Sequence, residues 1–521
     1  PVKIRELIAR RAEGNPFFIE EVARSFIDDG IVEIREGRFR VTDRIDAVEI
    51  PESISDIIMA RVDKLDEPTK SLLKTASVIG RNFFYRILAE VAASVGEIDH
   101  KLEDLKEAQL ILEQVRMEEV EYLFKHALAQ EAVYNSILGA KRKALHLDVA
   151  RSIERVFKDK IHEFYGLLAY HFSLGEDLDK AEEYLIKAGA EALKSSASNE
   201  ALHYYREALR IYLEKHGKSA DKAKVAMLEK NIAVAFFNKG QFNEADDHFN
   251  AALGRLGEDM PKKTPAMVLK FLPGLVRFLF RLYVPSLAKI RSPGPKTREI
   301  IGIYEKKSRL LATVDPKRMF IESFYFLPRL IGADLSQVEN GVGLFAMSSG
   351  LFCYSGISMK TSRKIIERAK KSIDPEDKRA LLYYRLANLM HCLVAGELEK
   401  IEPYDPELLD HGLNIGELWT TTTYCLFLGW LRACTGKYDE SQSIVDKVSD
   451  IWNAFEDDFS KTTLLIVRTN LFWEFRKIEE GMAEVDASIR FFSDMNYKAY
   501  LSEKTAYKAR FQLLLGESEK A

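Results

Sequence analysis

The sequence predicts a mainly α protein that ends in a solenoid of helical hairpins, on two grounds. First, five positions at steps of 40 residues share one pattern, with apolar residues before the position and a short charged turn after it: Gly356, Gly396, Gly436, Arg476 and Gly516. A repeat of about this length with glycine at the turn is typical of stacked helical hairpins. Second, 521 residues are too many for one hydrophobic core, so the chain needs several domains or a repeat array.

Two earlier segments show the same pattern without its exact period. Gly240 lies five residues before Ala245, and Gly175 lies one residue further from Ala181. Glycine suits this turn because the first helix has to end in a left-handed residue. The small residue lets the second helix pack closely on the first. Ala521 occupies the same position as Ala245, where the second helix of a repeat begins. We therefore expect the parent protein to continue beyond Ala521.

The first 50 residues predict two helices followed by a short hairpin. Apolar residues at helical spacing occur on both sides of Gly14-Asn15-Pro16, which we interpret as a constrained turn between two helices. Residues 31–34 and 38–41 alternate in polarity and predict a small β-hairpin. Because the chain begins with proline and not methionine, we expect its natural N-terminus to lie upstream.

Residues 51–157 predict three or four helices, then a β-hairpin and another helix. Apolar residues at helical spacing mark the first two helices, the second of which ends at Gly80. Residues 110–112 and 120–124 alternate in polarity on either side of a polar tip. Helices followed by such a two-stranded wing describe a winged-helix module.

Composition and charge narrow the classes of function. The chain has 47% hydrophobic and 30% charged residues, as ordinary soluble proteins do, and a net charge of 76 − 80 = −4. Residues 51–150 carry 13 Lys and Arg against 17 Asp and Glu, which again gives 13 − 17 = −4. A surface that binds nucleic acid is usually basic. Neither nucleic acid nor an anionic membrane is therefore expected as the main partner.

The four cysteines predict a reducing compartment. Cys353, Cys392, Cys425 and Cys434 form no C-x-x-C pair and lie in apolar segments with helical spacing. Buried, reduced thiols of a cytoplasmic protein explain this pattern. The sequence shows neither a signal peptide nor an apolar run of about 18 residues, so no membrane-spanning helix is expected.

Three segments of the N-terminal region resemble a known family. They are RRAEGNPFFIEEV at residues 10–22, IPESISDIIMARVDKLDEPTKSLLKTASVIGRNF at residues 50–83, and FKHALAQEAVYNSIL at residues 124–138. These segments resemble the large signalling ATPases of the STAND and AAA-like class, which carry tetratricopeptide-type repeats and often follow a class III nucleotide cyclase or a protein kinase domain. The resemblance covers about residues 5–215, and the rest of the chain shares only its repeat character.

The resemblance implies that Gly14-Asn15-Pro16 forms one edge of a nucleotide site. In that family a G-x-P turn lies on the lid beyond the ATPase core, and its proline packs near the adenine. Gly14 would then allow close backbone approach and Pro16 would contact adenine, with Arg10 or Arg11 as weaker candidates for sensing phosphate. The implied cofactor is ATP with Mg²⁺ in the full-length parent, and none is expected to bind tightly to this chain alone.

No complete active site is predicted. The phosphate-binding loop G-x-x-x-x-G-K-[ST] does not occur, and its nearest imitation, residues 292–297, has proline where the loop needs a glycine and a backbone amide. Residues 341–346 match the looser dinucleotide pattern but are not surrounded by a βαβ unit. The motifs H-E-x-x-H and G-x-S-x-G are missing, and we expect structural roles for His126 and His146. We therefore predict no catalytic residue, no metal ligand and no ATP hydrolysis by this chain alone.

An apolar stretch at residues 264–290 leaves two interpretations open. It contains Lys270, Arg277, Arg281 and Lys289 and no acidic residue. Such a stretch suits a membrane surface or a protein partner. We favour the alternative of a repeat helix that is buried against its neighbours.

The sequence thus predicts a regulatory protein. A solenoid offers a long concave surface, which suits binding of a protein or peptide, and the resemblance implies an upstream P-loop ATPase domain as the partner within the parent chain. One alternative is the regulatory tail of a class III nucleotide cyclase or a protein kinase. Another is a scaffold or transcriptional regulator without nucleotide chemistry. The expected domains are a remnant of the ATPase lid with a hairpin (1–50), a winged-helix-like domain (51–157), first repeats (158–260), an irregular helical connection (261–340) and repeats of about 40 residues (341–521).

Overall fold

The computed structural model divides the chain into two compact units, residues 1–191 and residues 192–521. The protein is mainly α, as predicted, with helical hairpins and, among the described residues, two small antiparallel sheets. The residues that the structure describes are 8–10, 16–35, 38–42, 53–116, 119–195, 197–259, 261, 264–285, 290–455, 458–495 and 498–517.

The first unit contains nine helices and five strands with described bounds, besides residues 8–10, which are also helical, and its last helix runs just past the boundary. They are α1 Pro16–Asp28, β1 Val32–Arg35, β2 Arg38–Val41, α2 Ile54–Asp63, α3 Glu67–Ile79, β3 Asn82–Phe84, α4 Tyr85–Val91, α5 Ile98–Glu107, β4 Ile111–Arg116, β5 Glu119–Phe124, α6 Ala127–Asn135, α7 Gly139–Val156, α8 Tyr165–Leu174 and α9 Leu178–Lys194, with a 3-10 helix at Lys158–Phe164 between α7 and α8.

The two hairpins of the first unit confirm the alternating patterns of the sequence. Strands β1 and β2 pair with Val32 opposite Val41, and β4 pairs with β5 with Ile111 opposite Phe124. Strand β3 was not predicted, because three residues are too short to show alternation. It pairs with β5, so the sheet has the order β3-β5-β4. As predicted, the helix before β3 ends at Gly80, whose φ of +145° favours glycine.

The second unit is built from helices, many of which pack against the helix that follows them in the chain. They are α10 Ser198–His216, α11 Lys222–Asn238, α12 Phe242–Arg255, α13 Thr264–Tyr283, α14 Pro295–Val314, α15 Pro316–Leu330, α16 Gly341–Met347, α17 Ser349–Tyr354, α18 Met359–Lys370, α19 Lys378–Ala395, α20 Pro406–Asn414, α21 Leu418–Cys434, α22 Tyr438–Phe455, α23 Asp458–Glu474, α24 Ile478–Asp494 and α25 Lys498–Leu514.

The five positions of the 40-residue repeat share one backbone conformation, which confirms the prediction of a helix end at each. Their φ values are all positive and lie between +56° and +79°. At four of the five positions the next residue then donates its amide to a carbonyl five positions before it, as Lys437 does to Arg432 over 2.9 Å, whereas after Gly356 it is Ser358 that donates to the carbonyl of Phe352 over 3.4 Å. This bond closes a helix end of the Schellman type, which requires a left-handed residue. At the fourth position that residue is Arg476, with φ +56°.

The inserted residue of the first repeat also has a structural explanation. Gly175 has ordinary helical φ and ψ, and the left-handed residue of that turn is Glu176, with φ +62°. Glu176 lies five residues before the buried Ala181, so its register is that of Gly240 and Ala245. The insertion therefore shifts the glycine and leaves the repeat geometry intact.

The position five residues after the left-handed residue is small and buried in the repeats that follow Gly436 and Arg476, whereas after Gly396 it holds the partly buried Ile401. In the last repeats it holds Ser441, with 0% exposure, and Gly481, where an added Cβ would lie only 2.4 Å from Cζ of Phe511. Ser441 also donates from Oγ to the carbonyl of Gly429 over 2.8 Å. In these two repeats the second helix thus approaches its neighbour too closely for a large side chain.

The cysteines agree with the prediction at three of four positions. Cys353, Cys392 and Cys425 are buried free thiols. Cys434 is exposed, so the expectation of burial is wrong there. It belongs to the last turn of α21, two residues before Gly436, where the helix end meets solvent.

Candidate functional site

The predicted nucleotide edge lies at the start of α1. Arg11, Gly14 and Asn15 fall outside the described residues. Pro16 is the first residue of α1 and is exposed, and Arg10 is an exposed helical residue. Proline at the first helical position has no amide to leave unpaired, and its fixed φ suits a helix start. An exposed proline at this place is open to contact from outside the chain.

Helix α1 packs its apolar face onto a small core. Phe18, Val22 and Phe26 are buried together with Ile31 and Ile57 of the neighbouring elements. The spacing of three and four residues puts these side chains on one face of the helix. The helix that begins at Pro16 is therefore packed against α2.

A buried ion pair fixes α1 to α2. Glu21 is only 2% exposed and pairs with Arg61 of α2, whose guanidinium also donates to the carbonyl of Ala108 after α5. One arginine thus joins three elements. Sequence reasoning missed this contact, although a glutamate between Phe18 and Val22 on an apolar helix face indicates that a cation has to cover it.

Further charged contacts border this ion pair. Lys64 donates to Asp29 over 2.6 Å, which holds the pKa of that carboxyl below its usual range, and Lys125 lies 3.9 Å from Glu20. Burial lowers the pKa of His126, which is the residue after Lys125. Helix α1 therefore rests on the following module through paired charges as well as through its apolar core.

Helix α5, which precedes the β4–β5 hairpin, carries no free basic surface. Lys101 is 9% exposed and donates to the carbonyl of Gly96 over 2.9 Å. Lys106 lies 2.6 Å from Glu103 and 2.8 Å from Glu113. Both lysines are thus engaged by groups of the chain itself.

The two glycine-containing segments have structural roles. Gly294 is the residue before α14 and Pro295 is its first residue, so residues 292–297 form a helix start that lacks the amides of a phosphate loop. In α16, a Cβ on Gly341 would lie 2.4 Å from the carbonyl oxygen of Leu335, and a Cβ on Gly343 would lie 2.8 Å from Cβ of Tyr383. Both glycines of the dinucleotide-like pattern are thus required by close packing.

His146 belongs to a buried cluster in the first unit. Its Nδ1 lies 2.8 Å from Nδ1 of His171, and its Nε2 lies 2.9 Å from the hydroxyl of Tyr134. Burial lowers the pKa of His146 to about 4 and that of His171 to about 3, so both rings are neutral near pH 7. The geometry agrees with the structural role expected for His146. Among the described residues no cluster of His, Cys, Asp and Glu has the arrangement of a metal site.

The apolar stretch at residues 264–290 has one buried side, as a packed repeat helix would, and one exposed side, as a binding surface would. Met267, Phe278 and Leu282 of α13 are buried, as expected for a packed helix. Leu269 and Val276 are exposed at 77% and 62%, so the expectation of burial is wrong for the opposite face. Lys289 lies outside the described residues. In the part of the chain that is described, no helix combines the length and apolarity needed to cross a bilayer.

The chain was compared with protein families, curated proteins and solved structures. A family model described as a domain of unknown function (DUF8739) matches residues 1–40. No curated protein matches the chain. A solved structure of a Signal Transduction ATPase with Numerous Domains (STAND) protein with a tetratricopeptide repeat sensor, from Pyrococcus horikoshii, matches at 11% identity and a TM-score of 0.39. The match covers 91% of this chain and 58% of that protein, and a TM-score of this size is too low to establish a shared fold.

Proposed function

We propose that this chain is the regulatory and protein-interaction portion of a nucleotide-dependent signalling ATPase of the STAND or AAA-like type. The helical hairpins act as its sensor or partner-binding arm. The sequence resemblance at residues 10–22, 50–83 and 124–138 supports the class of ATPase. The hairpin array supports the binding role, because stacked helical hairpins present extended surfaces and no catalytic constellation.

One observation carries the regulatory part of the proposal. Pro16 of the motif begins α1, and the buried Glu21 of the same helix pairs with Arg61 of α2. A nucleotide that contacts the turn before α1 favours one position of this helix over another, and the ion pair transmits that preference to the following module. Such coupling requires that the two positions bind nucleotide with different affinity.

The module after α1 serves in this proposal as a winged-helix switch element. The order helix, strand, helix, helix, strand, strand from α3 to β5 supports a winged helix. The engaged lysines and the acidic surface of α5 favour packing on the nucleotide domain over binding of DNA. ATP and Mg²⁺ bind to an upstream P-loop domain of the parent, with Gly14, Asn15, Pro16 and Arg11 at the edge of the site.

The nucleotide edge is tested in the full-length parent with Pro16→Ala. We expect weaker binding of a fluorescent ATP analogue, because the contact with adenine is lost. Ile19→Ala is the matched control, since Ile19 is a 46% exposed residue of the same helix. Equal affinity of the Pro16 variant and the parent would count against the lid assignment.

The coupling is tested in the parent with Glu21→Gln. This change removes the charge of a residue that lies outside the nucleotide edge, so we expect little change in nucleotide affinity. Hydrogen exchange of residues 53–124 should no longer respond to nucleotide. A response equal to that of the parent would show that the Glu21–Arg61 pair does not carry the signal.

Two alternative functions make different predictions. If the chain is the regulatory tail of a nucleotide cyclase or a kinase, the coding sequence upstream of Pro1 encodes that catalytic domain. If it is a DNA-binding regulator, the full chain binds duplex DNA with an affinity that falls steeply with salt. The charge of α5 favours the ATPase proposal over the second alternative.

A further inference from the structure

Helix α13 is held firmly on its inner side. A Cβ on Gly274 would lie only 2.1 Å from the carbonyl oxygen of Phe324, so the backbones of α13 and α15 are in close contact. Phe271 packs edge to face against Phe324 at 4.6 Å between ring centroids. Arg281 donates to the carbonyl of Pro328. These contacts fix the orientation of the helix and of its opposite side.

That opposite side is an exposed apolar face, which we call the outer face of α13. Leu269, Leu272, Val276 and Phe280 form it, with exposures of 77%, 54%, 62% and 49%. Their spacing of three and four residues places them in one line along the helix. Together with Pro273 the last three line a shallow open groove. Single exposed apolar residues are normal on a protein surface, but a continuous line of them marks an interaction site.

Positive charge borders the outer face on one side only. Lys270, Arg277 and Arg281 are separated by seven and four residues and so lie along one edge, and α13 contains no acidic residue. Arg277 is exposed and makes no ion pair with any described residue. Burial and the nearby charges of Arg277 and Arg291 lower the pKa of Arg281. Lys270 and Arg281 donate to the carbonyls of Asp259 and Pro328 but pair with no described carboxylate, so the edge stays positively charged, with Arg277 as its exposed cation.

We propose that the outer face of α13 binds an acidic amphipathic helix of a protein partner. Apolar residues of that helix at positions i, i+3 or i+4, and i+7 occupy the groove, and carboxylates along one of its edges pair with Arg277 and its neighbours. The proposal specifies the partner for the binding role proposed above and rests on it.

Two other occupants fit the charges less well. A helix that lies in a bilayer interface keeps a charged face in water opposite its apolar face, whereas the opposite side of α13 is packed on α15. A second copy related by a two-fold axis, with its helix antiparallel, places like edges against each other and so repeats the same cations across the interface. An acidic partner helix avoids both difficulties.

The test uses the 521-residue chain as bait for a displayed library of helical peptides of 20 residues, the length of α13. Selection is repeated with the double variant Leu269→Ser/Val276→Ser and with Arg277→Glu. Ile357→Ser is the matched control, because Ile357 is exposed at 60% elsewhere in the same unit. Circular dichroism checks that each variant is folded, which we expect since all the altered side chains are exposed.

We expect enriched peptides with apolar anchors at helical spacing and Asp or Glu along one edge. Their affinity should fall by about tenfold or more in the double variant and in Arg277→Glu, and stay unchanged in the control. The charge-reversed bait should select Lys or Arg at the same edge. Enrichment of peptides without acids, or equal affinity for all baits, would overturn the proposal.

Two further measurements distinguish the rival occupants. Binding to phosphatidylserine vesicles that the double variant abolishes, without any peptide enrichment, identifies a membrane site. Self-association in sedimentation that the same variant abolishes identifies a second copy. Either result overturns the proposal. Because none of these measurements involves nucleotide, failure here is distinguishable from failure of the proposed ATPase role.

Discussion

The last repeats and the segment before them are stabilised in different ways. In the repeats at Gly436 and Arg476, a left-handed residue ends one helix and a small residue five positions later lets the next helix approach. Both features are local in sequence. In helices α13 to α15, buried charged side chains form ion pairs and hydrogen bonds. These contacts join residues that are far apart in the chain.

A buried lysine shows how the earlier segment is organised. Lys307 of α14 has 0% exposure and donates to Glu322 of α15 over 2.5 Å and to Asn250 of α12 over 2.8 Å. Arg318 donates to the other oxygen of Glu322 over 2.6 Å and also pairs with Asp246. Four charged side chains and one amide thus connect three helices.

A second group of charges joins this segment to the repeats. Glu417, the residue before α21, accepts from Arg309 of α14 over 3.3 Å and from Arg379 of α19 over 2.7 Å. The hydroxyl of Tyr383 donates to the same carboxylate over 2.7 Å. Arg309 and Glu417 are 108 residues apart. The 40-residue step allows the helix ends of the last repeats to be predicted from the sequence. Long-range ion pairs leave no periodic pattern and so are not predicted.

The largest expected effect comes from removing one charge of the buried group. Glu322→Gln leaves Lys307 in the interior without its closest carboxylate, and breaking a buried pair typically costs about 3–5 kcal/mol. We expect a loss of this size in the free energy of unfolding, measured by chemical denaturation. The double variant Lys307→Met/Glu322→Leu removes both charges and should lose less than Glu322→Gln alone. A double variant as unstable as the single one would show that the ion pair is not what stabilises this segment.

The next effect concerns the acid stability of the junction at Glu417. Burial opposes its charge, but Arg309 and Arg379 outweigh burial and lower the pKa of Glu417 to about 2 from its ordinary 4.5. A depressed carboxyl pKa stabilises the folded state above about pH 4.5, and this contribution is lost as the pH falls from 4.5 towards 2. The difference between these two pKa values corresponds to about 3 kcal/mol in the free energy of unfolding. Glu417→Gln should therefore reduce the stability at pH 7 and flatten its decline below pH 4.5.

His391 provides the comparison within the repeats. It is 1% exposed, its Nδ1 lies 2.8 Å from Oγ of Ser362, and burial lowers its pKa to about 4. A buried neutral histidine stabilises the fold above its ordinary pKa of 6.5 and loses this contribution as the pH falls from 6.5 to 4. His391→Gln should flatten the stability profile in that range and leave the decline below pH 4.5 intact. Identical profiles for the two variants would contradict the separation of the two regions.

The sequence predicted what local rules decide. The 40-residue step marked the left-handed ends at Gly356 and Gly436 because each end requires the same conformation, and alternation marked the hairpin of β4 and β5. It did not reveal the pair Glu21–Arg61 or the environment of Lys307, because a partner that is distant in the chain is not identified by one sequence. The candidate nucleotide edge was recognised by resemblance at Gly14-Asn15-Pro16, and only Pro16 of it lies within the described residues.

The close approach of repeat helices is tested by adding one methyl group. Gly481→Ala places a Cβ 2.4 Å from the Phe511 ring, so the ring has to move, and overpacking typically costs about 1–3 kcal/mol. Gly302→Ala in α14 is the matched control, because nothing lies within 4 Å of its added Cβ. Alanine in an open helical site should stabilise by about 0.5–1 kcal/mol. Thermal denaturation of both variants measures the contrast, and a neutral Gly481 variant would show that this small position is not tightly packed.

The smallest effect concerns Arg476, which replaces glycine at one of the five positions of the 40-residue repeat. Arg476 takes the left-handed conformation at φ +56°, which costs a residue with a Cβ about 1–2 kcal/mol. Its guanidinium lies 4.9 Å from the centroid of the Trp473 ring, a contact worth about 0.5–1 kcal/mol at an exposed site. Arg476→Gly removes both, so we expect a net gain of about 0.5–1 kcal/mol in the free energy of unfolding. Gly436→Ala is the opposite change at a position where nothing lies within 4 Å of the added Cβ, so it measures the conformational cost alone. If Gly436→Ala loses stability and Arg476→Gly gains none, the contact with Trp473 compensates the backbone fully, and the repeat tolerates arginine because of its neighbour.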